Sequence, residues 1–174
     1  ESCEEAAARV LWETTGLNNI FLDQVSTFSD PRREPAVRVI SVAWYSLIRI
    51  HQHDLDLVSN HGAAWWPLTK LPELIFDHGE MVRKALASLQ QKAGYSLVGS
   101  ELLPERFTLL QLRKLYEAIY QREFDAGNFR KKILSLGLLT KTDEKNYTES
   151  RKGAFYYTLE RSSSDVETER IVKF

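Results

Sequence analysis

The feature that most constrains this chain is a run of start and stop signals between residues 105 and 160. Thr108 followed by Gln111 is a capping box, in which a hydroxyl and an amide satisfy two of the free amide donors at a helix start. Leu112, Leu115, Tyr116 and Ile119 then repeat at helical spacing and form one apolar stripe. A break at 121–123 follows, and Asp125 caps a second helix over 126–136. Gly137 closes it with a backbone that tolerates positive φ. Residues 138–142 and 154–159 alternate like strands, and the polar, turn-rich stretch 143–153 lies between them. Helix, break, helix and hairpin is the order of a winged helix-turn-helix.

The second helix carries the chemistry. On a wheel of about 100° per residue, Phe129, Ile133 and Leu136 cluster on one side. Gly127, Asn128, Lys131 and Ser135 point the other way, with Arg130 and Lys132 on the flanks. Gly127 permits close approach to a surface, and Asn128, Arg130, Lys131 and Lys132 carry donors suited to base edges and phosphates. Asp125 opposes this slightly, because its charge repels phosphate. At the hairpin tip Arg151 and Lys152 precede Gly153, as expected of a wing that touches phosphate or the minor groove. These six residues are the expected contacts with duplex DNA.

Charge distribution agrees. The 174-residue chain has a net charge of −1, which alone argues against nucleic acid. Residues 1–104 hold 9 Lys and Arg against 13 Asp and Glu, a balance of −4; residues 105–160 hold 11 against 8, a balance of +3. A hydrophobic share of 43% and a charged share of 27% are those of a globular chain. Absence of a long apolar run excludes a membrane span, and no secretory leader is visible. Cys3 is the only cysteine, so no intrachain disulfide forms and a cytoplasmic location is expected.

Ahead of this segment the pattern is mixed, giving an α+β chain overall. Ala6, Ala7 and Ala8 favour a short helix that Gly16 ends. Residues 20–28 read as a strand broken at Asp30-Pro31. Residues 37–50 give the strongest strand pattern, apolar on both faces and therefore expected to be central. Residues 51–60 read as a polar loop and 63–66 as a short strand. Val82, Ala85, Leu86 and Leu89 mark a helix over about 79–91, with His78 expected to cap it. His51 and His53 could pair on a metal, but no second cluster completes a coordination sphere, so no metal is expected. Of Trp65 and Trp66, at most one can line a pocket, since strand neighbours face opposite ways. Trp44 is expected in the core.

The opening residues match the end of a Nudix box, G-x5-E-x7-R-E-U-x-E-E-x-G-U, where U is a bulky aliphatic. Seven residues separate Glu1 from Arg9, and Val10, Leu11, Trp12, Glu13, Thr14, Thr15, Gly16 and Leu17 follow in register. Because the chain starts inside the motif, it reads as the C-terminal portion of a longer protein, with an N-terminally truncated Nudix-like α/β/α domain. Val10 and Thr14 replace two expected glutamates. Glu1 and Glu13 alone do not build a metal cluster that would polarise water beside a pyrophosphate. No catalytic residue is therefore expected. A Nudix pyrophosphohydrolase acting on ADP-ribose-like substrates is the alternative.

A degenerate Nudix domain followed by a winged helix resembles the Nudix-related transcriptional regulator family (NrtR-like). Further stretches carry the resemblance: Thr27-Phe28-Ser29-Asp30-Pro31, Arg38-Val39-Ile40-Ser41-Val42-Ala43-Trp44-Tyr45, Leu74-Ile75-Phe76-Asp77-His78, Phe107-Thr108-Leu109, Leu115-Tyr116-Glu117-Ala118-Ile119-Tyr120 and Asn128-Phe129-Arg130-Lys131-Lys132. Ser29 departs from the glycine common there. The resemblance implies a homodimeric regulator of a metabolic operon that needs no cofactor. Its Nudix-like domain senses a small molecule, either a sugar or an ADP-ribose-like compound. The stretch from Asp77-His78 through Lys92 and the Trp-rich segment resemble the sugar-utilisation branch. The expected domains are 1–94 for sensing, 95–104 as linker, 105–160 for DNA and 161–174 as a tail. No effector-binding residue is assigned.

Overall fold

Ser2 starts the first helix. Its hydroxyl accepts from the Glu5 N–H at 3.2 Å, and the Glu5 carboxylate accepts the Ser2 N–H at 2.7 Å. In this computed structural model, which describes residues 1–94, 97, 102–149 and 151–159, α1 runs over Cys3–Thr15. Gly16, at φ 74°, ends it and donates its N–H to the Trp12 carbonyl. A Cβ at Gly16 would lie 2.5 Å from the His61 ring and 2.8 Å from Leu57, so glycine here serves both the turn and a close approach.

Contacts divide the chain into two units, Glu1–Ser88 and Leu89–Phe174. In the first, β1 (Asp23–Phe28) and β2 (Ser41–Tyr45) pair antiparallel from Asp23–Tyr45 to Phe28–Ser41, with a bulge between Gln24 and Ser26. The strand expected over 37–50 is thus five residues long. It has one partner among the described residues, and all five positions are half-buried. Val37 and Ile40 are exposed. Apolar character on both faces indicates surface that favours cover; it does not specify a second paired strand.

Residues 51–60, expected as a loop, form α2 (Gln52–Asn60). The His51 N–H is held by the Asp54 carboxylate at 2.8 Å, and Val58 anchors the helix in the core. Asp56, Ser59 and Asn60 are exposed on its solvent side. Residues 63–66 form no strand; Pro67 leads from them into a single 3-10 turn, Leu68–Lys70. Then α3 (His78–Ala93) carries Val82, Ala85, Leu86 and Leu89 half-buried along one stripe. His78 is its first residue, its ring edge-on to Phe76.

The second unit opens with the last turns of α3. Gln90 donates its amide to the Ile119 carbonyl at 3.0 Å, and the Tyr120 hydroxyl donates to the Gln90 carbonyl at 3.1 Å. A two-residue strand β3 (Phe107–Thr108) precedes α4 (Leu109–Tyr120), α5 (Ala126–Ser135), β4 (Leu139–Asn146) and β5 (Ala154–Leu159). The sheet order is β3-β5-β4, antiparallel throughout. Leu112, Tyr116, Ile119, Phe124, Phe129 and Ile133 fill the core with Phe107 and Tyr157. Phe129 packs edge-on to Tyr116 and tilted on Phe124, each at 5.9 Å between centroids. Such aromatic pairs add about 0.5–1.5 kcal/mol beyond the area they bury.

Relative to the sequence expectations, α5 stops at Ser135, with Leu136 as a half-buried C-cap. The first wing strand begins at Leu139 and continues to Asn146, because pairing with β5 breaks off after Lys141 at a register shift and resumes at Lys145 and Asn146. Most of the expected linker and all of the expected tail lie outside the described residues.

Candidate nucleic-acid interface

The helix-break-helix geometry is set by side chains of α4. Gln121 adopts a left-handed backbone at φ 53° and ends the helix. Glu117 accepts the Phe124 N–H at 3.0 Å, and Arg113 donates to the Phe124 carbonyl at 2.9 Å. Both backbone polar groups of Phe124 are therefore satisfied from α4 while its ring enters the core. Asp125 follows, accepting the Asn128 N–H at 2.8 Å as the N-cap of α5.

From that start the helix has two distinct sides. Phe129 is 1% exposed and Ile133 fully buried. Asn128, Arg130 and Lys131 are exposed, whereas Lys132 is half-buried. A Cβ on Gly127 would meet only the Asp125 carboxylate, at 3.4 Å, so nothing in the packing requires glycine there. On the wing Arg151 and Lys152 are exposed. No ion pair joins Arg130, Lys131, Lys132, Arg151 or Lys152 to another described residue, whereas Arg106 is bound to Glu144 at 2.6 Å and Arg113 to Glu117 at 3.6 Å. Among the described residues these five cations are thus available to an anion, as are Lys114, Lys141 and Lys145, which also lack an ion pair.

Three wing residues were not selected from sequence. Lys141 and Lys145 lie over the Phe155 ring at 3.5 and 4.6 Å, and Tyr147 is 67% exposed. Their register around the shift in β4 brings both lysines to one aromatic ring. Alternation alone gives no hint of that shift. Gly153, at φ 76°, is needed for the turn, and a Cβ there would meet Lys145 and Tyr147 at 2.9 Å.

In the first unit the remnant of the Nudix pattern is organised by Arg9. Its guanidinium donates to Glu1 at 2.7 and 3.0 Å and to Glu13 at 3.1 and 3.3 Å. Hydrogen bonding to Arg9 holds the Glu1 carboxyl below its ordinary value and pushes the Arg9 pKa up. Thr14 donates to the Val10 carbonyl at 2.7 Å, closing a local bond within the helix. Among the described residues no group of three or more His, Cys, Asp or Glu side chains is placed to hold a metal ion. The His53 side chain, one half of the histidine pair considered above, lies outside the described residues.

Three cavities adjoin these elements. One of about 640 Å³ is bounded by Thr27–Arg33 and α3, with Arg32, Lys84, Asp30 and Glu80 on its walls. Arg33 and Asp77 also line it; the Arg33 side chain, 5% exposed, is bound to Asp77 by two hydrogen bonds and donates to the Ser41 hydroxyl at 2.7 Å. A second, of about 440 Å³, is mainly apolar and includes Trp65 but not Trp66. The third, of about 460 Å³, includes Trp44, which is half-buried and not part of the closed core.

Comparison with known proteins gives concordant results. Residues 99–159 match the family described as the NrtR DNA-binding winged helix domain. The ADPR responsive transcriptional repressor NtrR of Acinetobacter baylyi is 27% identical over 152 residues, which is 86% of this chain and 61% of that protein. The chain thus spans less than two thirds of that curated relative. Shewanella oneidensis NrtR superposes with a TM-score of 0.72 at 28% identity, covering 98% of this chain and 78% of that one. The same protein complexed with a 27mer DNA gives 0.74 at 27% identity, covering 99% and 80%. A MutT/nudix family protein from Enterococcus faecalis gives 0.55 at 21% identity, covering 92% and 70%, which is a likeness of fold alone.

Proposed function

We propose that the chain belongs to the Nudix-related transcriptional regulator family, whose DNA-binding winged helix its residues 99–159 match, and that it is a ligand-responsive transcriptional repressor that binds duplex DNA. The observation that carries this reading is the two-sidedness of α5. Its aromatic and aliphatic side is locked in the core, while Asn128, Arg130 and Lys131 stand in solvent, the two cations without an ion-pair partner among the described residues. Asn128, Arg130 and Lys131 reach into a groove, Lys132 flanks them, and Arg151 and Lys152 contact phosphate from the wing. The DNA-bound state of a relative with the same fold supports it.

Residues 1–94 belong to a sensing domain, and the DNA-binding domain lies within 105–160. The chain works as a cytoplasmic homodimer and controls a metabolic operon. An ADP-ribose-like effector is favoured by the name of the Acinetobacter relative. The cavity beside Arg32 and Lys84 has suitable chemistry, with cations for a pyrophosphate and carboxylates for ribose hydroxyls. Asp77, one of the residues that pointed to a sugar effector, is already engaged by Arg33.

The first unit senses and does not hydrolyse. Both carboxylates left from the Nudix pattern are held by Arg9, and Val10 and Thr14 supply no others. A gel shift at moderate salt tests the reading as a whole. Binding of promoter-containing duplex that changes on adding ADP-ribose is expected. A shift insensitive to Arg130→Ala combined with Lys131→Ala contradicts it.

A further inference from the structure

Glu149, in the turn that links β4 to β5, joins the wing to the start of α4. Within the capping box, Thr108 Oγ accepts the Gln111 N–H at 3.2 Å and Gln111 Oε1 accepts the Thr108 N–H at 3.1 Å. That exchange leaves the Thr108 hydroxyl hydrogen and both side-chain amide hydrogens of Gln111 unspent. Glu149 takes one with each oxygen: Thr108 Oγ donates to Oε2 at 2.6 Å and Gln111 Nε2 donates to Oε1 at 2.8 Å. Thr108 is fully buried, so its hydroxyl has no water to turn to if the carboxylate leaves. A carboxylate at a helix N-terminus is also favoured by the helix dipole.

The other side of the joint is equally fixed. Asn146 Oδ1 accepts the Thr148 N–H at 2.8 Å, the Thr148 hydroxyl at 2.6 Å and the Glu149 N–H at 3.3 Å. The chain leaving β4 therefore turns in a set way and delivers the Glu149 side chain to α4. Arg151 follows two positions later.

We propose that Glu149 is a positioning residue for nucleic-acid binding: it latches the wing to α4 and so presents Arg151 and Lys152 to phosphate. The proposal rests on the DNA-binding reading above. It makes a prediction opposite in sign to simple electrostatics. Removing a negative charge from a phosphate-binding surface should tighten binding, whereas releasing the latch loosens it.

The test measures affinity of the full chain for a fluorescein-labelled duplex across a salt series. Glu149→Gln and Glu149→Asp are each expected to weaken binding about three- to tenfold and to make the salt slope shallower by about one phosphate contact. The Asp variant keeps the charge but falls one methylene short, which separates reach from charge. In a chain already carrying Arg151→Ala and Lys152→Ala, Glu149→Gln is expected to change affinity less than twofold. Where a variant melts early, the other is read at a temperature at which both are folded. Binding by either variant as tight as wild type, or an undiminished loss in the Arg151/Lys152-free background, overturns the latch alone. Absence of salt-dependent binding by the unmodified chain overturns the DNA reading and the latch with it.

Discussion

Arg33 and Asp77, forty-four positions apart in sequence, hold each other through two parallel hydrogen bonds of 2.8 Å. The fork ties the loop between β1 and β2 to the start of α3, and the Ser41 hydroxyl takes a third guanidinium donor. The Arg33 hydrogen bonds hold the Asp77 carboxyl below its ordinary 3.8. Stability from the pair is therefore present above about pH 4 and lost as pH falls through the depressed folded value. Asp77→Asn is expected to lower Tm at neutral pH and to flatten the acid limb of Tm against pH. Arg33→Lys should not restore it, because an ammonium cannot match both oxygens. An acid limb that runs parallel in wild type and Asp77→Asn would contradict this role.

Truncation in the winged-helix core should be costly. Phe129→Ala removes a 1%-exposed ring that touches Tyr116 and Phe124, and is expected to cost about 3–5 kcal/mol. Ile133→Val should cost about 0.5–1.5 kcal/mol. Urea melts check both, and a Phe129→Ala loss under about 1 kcal/mol would mean the ring is not packed as described.

The parts of this fold that were legible in sequence are those written within a few residues. Thr108 with Gln111, Asp125 with Asn128, and Gly137 each declare a helix end through contacts no more than one turn away. Periodicity then fixed which side of α5 faces outward, and with it Asn128, Arg130 and Lys131. What escaped depends on distant partners. β3 exists only because Phe107 and Thr108 pair with Tyr157 and Tyr156. The polar residues of β4 are strand because β5 lies beside them. Glu149 is assigned by hydrogen bonds to residues 38 and 41 positions away. α2 was hidden differently: its short apolar side is outnumbered by polar residues, so composition obscured the helix that Val58 anchors.

Asp125 should show opposing effects on stability and binding. It caps α5 but brings a negative charge to the same end of the helix. Asp125→Ser retains a capping oxygen, so stability should stay within about 0.5 kcal/mol of wild type. Its DNA affinity should rise, most clearly at low salt, where charge repulsion is least screened. Weaker binding by a fully folded Asp125→Ser chain would show that the carboxylate itself takes part in recognition.

The first unit is expected to be inert toward ADP-ribose. With magnesium or manganese present, the chain should release neither AMP nor phosphate. Arg9→Ala frees Glu1 and Glu13 but supplies no third carboxylate, so it too should be inactive. Metal-dependent AMP release by either protein, tracked by chromatography, would restore the hydrolase reading.

The solvent side of α5 is proposed to meet the phosphates and bases of duplex DNA. The most direct test is the slope of log affinity against log salt for the wild-type chain and for Arg130→Ala combined with Lys131→Ala. A steep negative slope in the wild type, made shallower by about two phosphate contacts and accompanied by a large loss of affinity in the folded double variant, is the predicted result. Equal slopes and equal affinities for the two proteins would contradict it.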